Sequence, residues 1–180
     1  MIGLIDFVYL FVTTILSGIF FVPGCEFLFS NHDPTFFEVF GFLSPSLFFG
    51  IFLITQTPEK KSITVIVKIL AASLIIWTLS FIIGFDTSGL AVPVLGGINP
   101  LILGLLIEQR PSLEHSRKPY FLAGGISSLI GLIFFFSPYE IRGNLTKFDD
   151  LVFVIILWQM AVGWVIIKHK TTNISIHSDL

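Results

Sequence analysis

Charged side chains are scarce in this chain of 180 residues, since Asp, Glu, Lys and Arg together make up 12 % of it. Soluble domains carry roughly 25 %. Apolar residues reach 54 %, 21 residues are Phe, and the mean hydropathy is +0.92. So few charges cannot cover a water-facing surface. The composition therefore excludes a soluble enzyme, a disordered chain and a nucleic-acid-binding protein with a basic face, and it favours a lipid bilayer as the partner of this surface.

Groups that carry chemistry are also few. Cys25 is the single cysteine, which excludes a disulfide or a Cys-x-x-Cys site within these residues. No Asp, Glu, His, Lys or Arg lies clearly at the centre of an apolar run, although proton-coupled transport typically needs a titratable group at that depth. We therefore expect no cofactor, no metal and no catalytic residue, and an enzyme is disfavoured.

Six apolar runs are present, each close to the roughly 20 residues that cross a hydrocarbon core of about 30 Å. Because backbone groups in lipid must be paired internally, and because strand-like alternation is missing, the runs predict helices. Pro23-Gly24 is expected to end the first helix. The fold class predicted is all-α, a compact bundle of six transmembrane helices forming one domain over residues 1–180. The predicted spans are 4–22, 36–55, 63–85, 90–107, 120–137 and 151–167.

The basic residues predict the orientation of this bundle. With six spans, only Arg142 and Lys147 fall on one side of the membrane. The positive-inside rule then places both termini in the cytoplasm, in a multi-pass protein of a plasma or inner membrane. The other eight basic residues lie on the cytoplasmic side: Lys60, Lys61, Lys68, Arg110, Arg117, Lys118, Lys168 and Lys170.

The even-numbered spans resemble one another. Ser44-Pro45 precedes Gly50 in the second span, Asn99-Pro100 precedes Gly104 in the fourth, and Gln159 precedes Gly163 in the sixth. A three-fold repeat of helical hairpins would produce this pattern. Chance would also produce it, because Gly, Pro and single polar residues are common in membrane spans.

Uncharged polar residues near the middle of the spans are the candidate binding residues. A proline removes one helical hydrogen bond and frees a carbonyl, and an opened turn beside an amide can bind an uncharged polar ligand. The same side chains could instead bond to one another and hold helices together. The substrate-binding candidates are Asn99, Gln159, Ser44, Pro45 and Pro100.

Three functions are compatible with these features. The favoured one is non-catalytic transport, in which the protein binds or passes a small uncharged or weakly polar solute, alone or within a larger assembly. The second is a structural or accessory subunit that packs against a membrane protein partner or another copy of itself. The third is a lipid-active enzyme that uses the outer carboxylates Glu26, Asp33 and Asp86.

Overall fold

The computed structural model describes residues 2–29, 33, 35–56, 62–86, 91–108, 117–135 and 147–178, and over these residues the fold is all-helical with no strand. The long apolar runs dictate this result, since each predicted span overlaps one helix. The helices are α1 (Ile2–Phe29), α2 (Phe36–Gln56), α3 (Ile63–Asp86), α4 (Val92–Glu108), α5 (Arg117–Phe135) and α6 (Lys147–Ser178).

The end of α1 differs from the expectation. The helix continues through Pro23 to Phe29, so the prediction that Pro23-Gly24 ends it is wrong. A proline costs the helix one N–H donor, but packing offsets that loss here. A Cβ on Gly41 of α2 would lie 2.5 Å from the carbonyl oxygen of Phe20 and 2.7 Å from the nitrogen of Gly24. The backbones of α1 and α2 therefore approach each other closely on both sides of Pro23.

The helices contact one another in chain order, and α1 also contacts α6. The result is a closed ring. Helix α6 has additional contacts with α2 and α4, so it reaches across the ring to both of the even-numbered helices that contain a proline. Because α6 contacts α1, α2, α4 and α5, its polar residues can bond to several other helices. Whether the hairpins form a three-fold repeat, and whether the chain is one domain, stay predictions.

The distribution of polar and apolar side chains differs from that of a water-soluble protein. All six helices expose large apolar side chains, among them Leu4, Phe37, Ile63, Val94, Ile133 and Trp164. The buried set includes many polar side chains, and Thr14, Ser17 and Ser44 are 0 % exposed. A surface of this kind is stable only where the solvent is itself apolar.

Three of the helices are long and apolar enough to cross a membrane: Gly3–Gly24, Phe36–Gln56 and Ile63–Ile83, with mean hydropathies of 2.1, 1.9 and 2.3. At 1.5 Å per residue a helix of this length covers about 30 Å. Shorter apolar segments are Val92–Leu103, Lys118–Ile133 and Val152–Lys168. The three long helices indicate a membrane protein.

The N-terminus of α2 is fixed by a reciprocal pair of side chains. Glu38 Oε2 accepts hydrogen bonds from the Thr35 backbone N–H at 2.7 Å and from the Thr35 hydroxyl at 2.6 Å, while the Glu38 backbone N–H donates to Thr35 Oγ1 at 3.3 Å. This is a capping box, in which a threonine and the glutamate three residues later satisfy the first free N–H groups of a helix.

Thr35→Ala is expected to lower the free energy of unfolding by about 1 kcal/mol, the usual effect of removing an N-cap hydroxyl. Reversible unfolding in mixed detergent micelles, followed by far-UV circular dichroism, measures this. The matched control is Thr64→Ala, because Thr64 is an exposed threonine in the first turn of α3. Equal stability of the two variants would show that the capping box contributes nothing.

Candidate functional site

Pro45 removes one backbone hydrogen bond from α2, and the side chain of the preceding residue, Ser44, replaces it. A residue at position 45 would normally donate its N–H to the carbonyl of Gly41, and proline has no N–H to give. The hydroxyl of Ser44 donates to that same Gly41 carbonyl at 2.7 Å and also lies 3.2 Å from the Ser17 carbonyl of α1. Ser44 and Pro45 are therefore a matched pair, and the hydroxyl also links α2 to α1.

Pro100 leaves a second carbonyl free, on Gly96 of α4, and a different helix supplies its partner. The indole N–H of Trp158 in α6 donates to the Gly96 oxygen at 2.9 Å. The ring of Trp158 also packs against Phe49, with centroids 5.2 Å apart. A buried carbonyl without a partner is costly in an apolar surrounding, so this bond compensates for the proline.

Gln159, the next residue of α6, joins three helices. Its side-chain N–H₂ donates to the Pro45 carbonyl of α2 at 2.9 Å and to the Ser17 hydroxyl of α1 at 3.0 Å. The side chain is 2 % exposed. A donor with two hydrogens is suited to this position because it satisfies two acceptors on two helices at once.

Two buried side-chain oxygens in the described part of the chain have no hydrogen-bond partner, Thr14 Oγ1 and Gln159 Oε1. Thr14 lies three residues before Ser17, so the two share a side of α1 one turn apart. The two unpaired groups have complementary hydrogen-bonding capacity, because the Thr14 hydroxyl can donate a hydrogen bond and the Gln159 amide oxygen can only accept one. We call Thr14, Ser17, Pro45 and Gln159 the crossing site. The core cluster includes Leu10, Phe49 and Val162, which lie on the same three helices as the crossing site.

Asn99 and Pro100, the α4 members of the predicted set, have other partners. The Asn99 side-chain N–H₂ donates to the Ser80 hydroxyl of α3 at 2.8 Å, and that hydroxyl donates to the Ile76 carbonyl at 2.7 Å. Pro100 packs on Gly124 of α5. Ser44, Pro45 and Gln159 thus come together around α1, α2 and α6, while Asn99 is bound to α3.

A second polar cluster lies where α1 begins and α2 ends. The side-chain N–H₂ of Gln56 donates to Asp6 Oδ1 at 3.1 Å and to the Thr55 hydroxyl at 3.0 Å, and Asp6 and Gln56 are both buried. Asp6 lies near the start of the predicted span 4–22, and neither Asp6 nor Gln56 is among the predicted binding residues. Gln56 directly follows the predicted span 36–55, and a glutamine at that position was the available signal.

Tryptophan was also missed. The indole N–H of Trp77 in α3 donates to the Phe42 carbonyl of α2 at 3.0 Å, and the hydroxyl of Ser73 donates to the Ser46 carbonyl at 2.9 Å. Trp77 and Trp158 therefore act as interhelical donors. A usable signal existed for Trp158, because any carbonyl four residues before a mid-helix proline needs a donor from elsewhere.

The three carboxylates predicted to lie on the outer side are only partly described. Asp33 is exposed. The side chains of Glu26 and Asp86 lie outside the described residues, so the structure does not test the lipid-active enzyme. In the parts of the helices that are described, no three His, Cys, Asp or Glu residues form a group suited to a metal ion.

Comparison with known proteins adds no family to this geometry. No protein-family model, curated protein or solved structure matches the chain.

Proposed function

We propose that this chain is a six-span membrane protein with both termini in the cytoplasm, and that it binds or passes a small uncharged solute at the crossing site. The observation that carries the proposal is the pair of unpaired buried oxygens, Thr14 Oγ1 and Gln159 Oε1. A hydroxyl group of an uncharged molecule can accept a hydrogen bond from the threonine or donate one to the amide oxygen. A non-catalytic role fits these residues, because neither titrates near neutral pH.

The chemistry of the site limits the solute. The four residues of the crossing site contribute neutral groups, and the core residues on the same three helices are apolar. An ion that entered this site would lose its hydration shell and gain few ligands in return, and this desolvation costs free energy. A small alcohol or polyol is therefore the substrate class that we propose. Asn99 and Pro100 are proposed as a second position on α4, where the amide oxygen of Asn99 can accept from the same kind of solute.

The test uses glycerol as the probe. Proteoliposomes that contain the chain should admit glycerol faster than empty liposomes in stopped-flow light scattering. Thr14→Val and Gln159→Leu should each lower the protein-dependent rate about tenfold, since each removes one solute hydrogen bond. Asn99→Leu tests the α4 position in the same assay.

Ser127→Ala is the matched control for this test. Ser127 is a buried hydroxyl that bonds along its own helix, to the carbonyls of Ala123 and Gly124. Its removal should leave the glycerol rate unchanged. If wild-type proteoliposomes are no faster than empty ones, or if both crossing-site variants keep the full rate, transport of small polyols is overturned.

A second candidate is an accessory subunit, and one observation favours it. Both amides singled out from the sequence give their N–H₂ groups to their own chain, Gln159 to α1 and α2 and Asn99 to α3. Polar residues used in this way hold helices together. In that case Gln159→Leu should change the assembly of the protein, measured by size-exclusion chromatography in mild detergent. Glycerol should then enter proteoliposomes of the wild type and of the variant no faster than it enters empty liposomes.

A further inference from the structure

An open groove of about 280 Å³ runs between α4 and α5 on the surface of the bundle. Its walls are Leu101, Phe121 and Leu122, and Lys118 lines it as well. Phe121 is 42 % exposed and Leu122 is 54 % exposed. The groove is therefore apolar, and Lys118 contributes the hydrocarbon stem of its side chain to the wall while carrying a positive charge at its tip.

The groove lies beside the closest approach of the two helices. A Cβ on Gly97 would lie 2.8 Å from Phe121 Cε2, so the aromatic ring lies directly on the α4 backbone. Leu101 follows Gly97 by one turn, and Lys118 precedes Phe121 by three residues. Because α4 and α5 are antiparallel neighbours in sequence, both residues lie toward the end of the hairpin where α4 finishes and α5 begins. The charged side chain is thus at the helix end and the apolar wall continues along the helices.

We propose that this groove holds one anionic phospholipid, with an acyl chain against Leu101, Phe121 and Leu122 and the phosphate at Lys118. The arrangement is complementary to such a molecule, which has its negative charge at one end and hydrocarbon beyond it. The first turn of α5 adds to the attraction, since the N-terminus of a helix carries partial positive charge. In the proposed orientation this end lies at the cytoplasmic leaflet, where anionic lipids concentrate and basic pockets between helices bind their headgroups.

The inference rests on the membrane placement in the proposed function and not on its solute. A chain that stays soluble without detergent would end both proposals. A loss of lipid preference with intact glycerol entry would end this one alone.

The test is native mass spectrometry of the detergent-purified full chain mixed with equal amounts of phosphatidylglycerol and phosphatidylcholine of the same acyl chains. One phosphatidylglycerol should be retained per chain in preference to phosphatidylcholine. Lys118→Gln should lower the ratio of the two bound lipids about fivefold, the effect of one lysine near an anionic headgroup. Leu122→Trp, which adds bulk to the wall, should lower the retention of both lipids.

Two further variants make the result specific. Lys118→Arg keeps the positive charge and should keep the preference. Lys68→Gln removes one exposed lysine from α3 and should leave the ratio unchanged. An unchanged ratio in Lys118→Gln, or an equal fall in Lys68→Gln, would overturn the site, because the preference would then come from overall charge.

Discussion

Gly124→Ala is expected to lower the free energy of unfolding by about 3 kcal/mol, the upper part of the range for overpacked cores. A Cβ at this position would overlap the Gly96 carbonyl oxygen of α4 and lie 2.6 Å from Pro100 Cγ. One obstacle is backbone and the other is a rigid ring, so neither can swing aside as a flexible side chain could. The α4–α5 pair would have to separate, and separation also weakens the contact of Gly96 with Ser128.

The neighbouring residue supplies the control for this prediction. A Cβ on Gly125 would lie 3.4 Å from the Pro93 carbonyl oxygen and 3.9 Å from Gly97 Cα, which are ordinary contacts. Gly125→Ala should therefore leave stability unchanged or raise it by up to about 1 kcal/mol, since alanine is the better helix former. Unfolding in mixed micelles measures both variants. Similar stabilities would show that α4 and α5 do not meet through Gly124.

The glycine and proline residues of this fold act together. Glycine lets the backbones approach, at Gly24 and Gly41 and again at Gly96 and Gly124. Pro45 follows Gly41 by four residues, and Pro100 follows Gly96 by four. Each proline therefore removes the backbone N–H that would donate to the glycine carbonyl. A side chain then supplies a donor. In α2 and α4, the place of closest packing is thus also the place where a carbonyl can accept a hydrogen bond from a side chain.

The six helices were predictable because an apolar run of about 20 residues has few alternatives to a helix. The end of α1 was not, because the helix continues through Pro23 beside Gly41 of another helix, a contact that hydropathy does not reveal. Likewise α6 continues to Ser178, well past the last apolar residue of its predicted span. Hydropathy marks the stretch suited to lipid and carries no information about where the hydrogen-bonded helix stops.

The candidate site was predictable in its residue types and not in its partners. Ser44, Pro45 and Gln159 were found because polar groups and prolines are unusual in apolar spans. Their grouping at one crossing depends on how each helix is rotated about its axis, which packing decides. Asn99 illustrates this. It is also a polar residue in an apolar span, but α4 is rotated so that the Asn99 side chain binds Ser80 of α3. Trp158 was overlooked because a tryptophan counts as apolar until its N–H is needed.

Trp158→Phe is expected to lower the free energy of unfolding by about 2 kcal/mol, because the Gly96 carbonyl would lose its indole donor while Pro100 still withholds the backbone one. The phenyl ring keeps the packing against Phe49. Trp77→Phe is the matched control. Trp77 also donates to a carbonyl, but the acceptor, on Phe42, lies four residues before Ser46, which has an N–H to give. Its loss should therefore cost about half as much or less.

The double variant with Pro100→Ala tests the cause of that difference. Alanine at position 100 restores an N–H that can donate to Gly96, so Trp158→Phe should cost about 1 kcal/mol less in the Pro100→Ala background than in the wild type. The same cycle on α2 pairs Ser44→Ala with Pro45→Ala, because Ser44 serves the Gly41 carbonyl. Unfolding free energies of the four members of each cycle give the coupling. Strict additivity in both cycles would contradict the role assigned to the prolines, whereas positive coupling in both would mean that each proline creates the polar position that its neighbouring donor occupies.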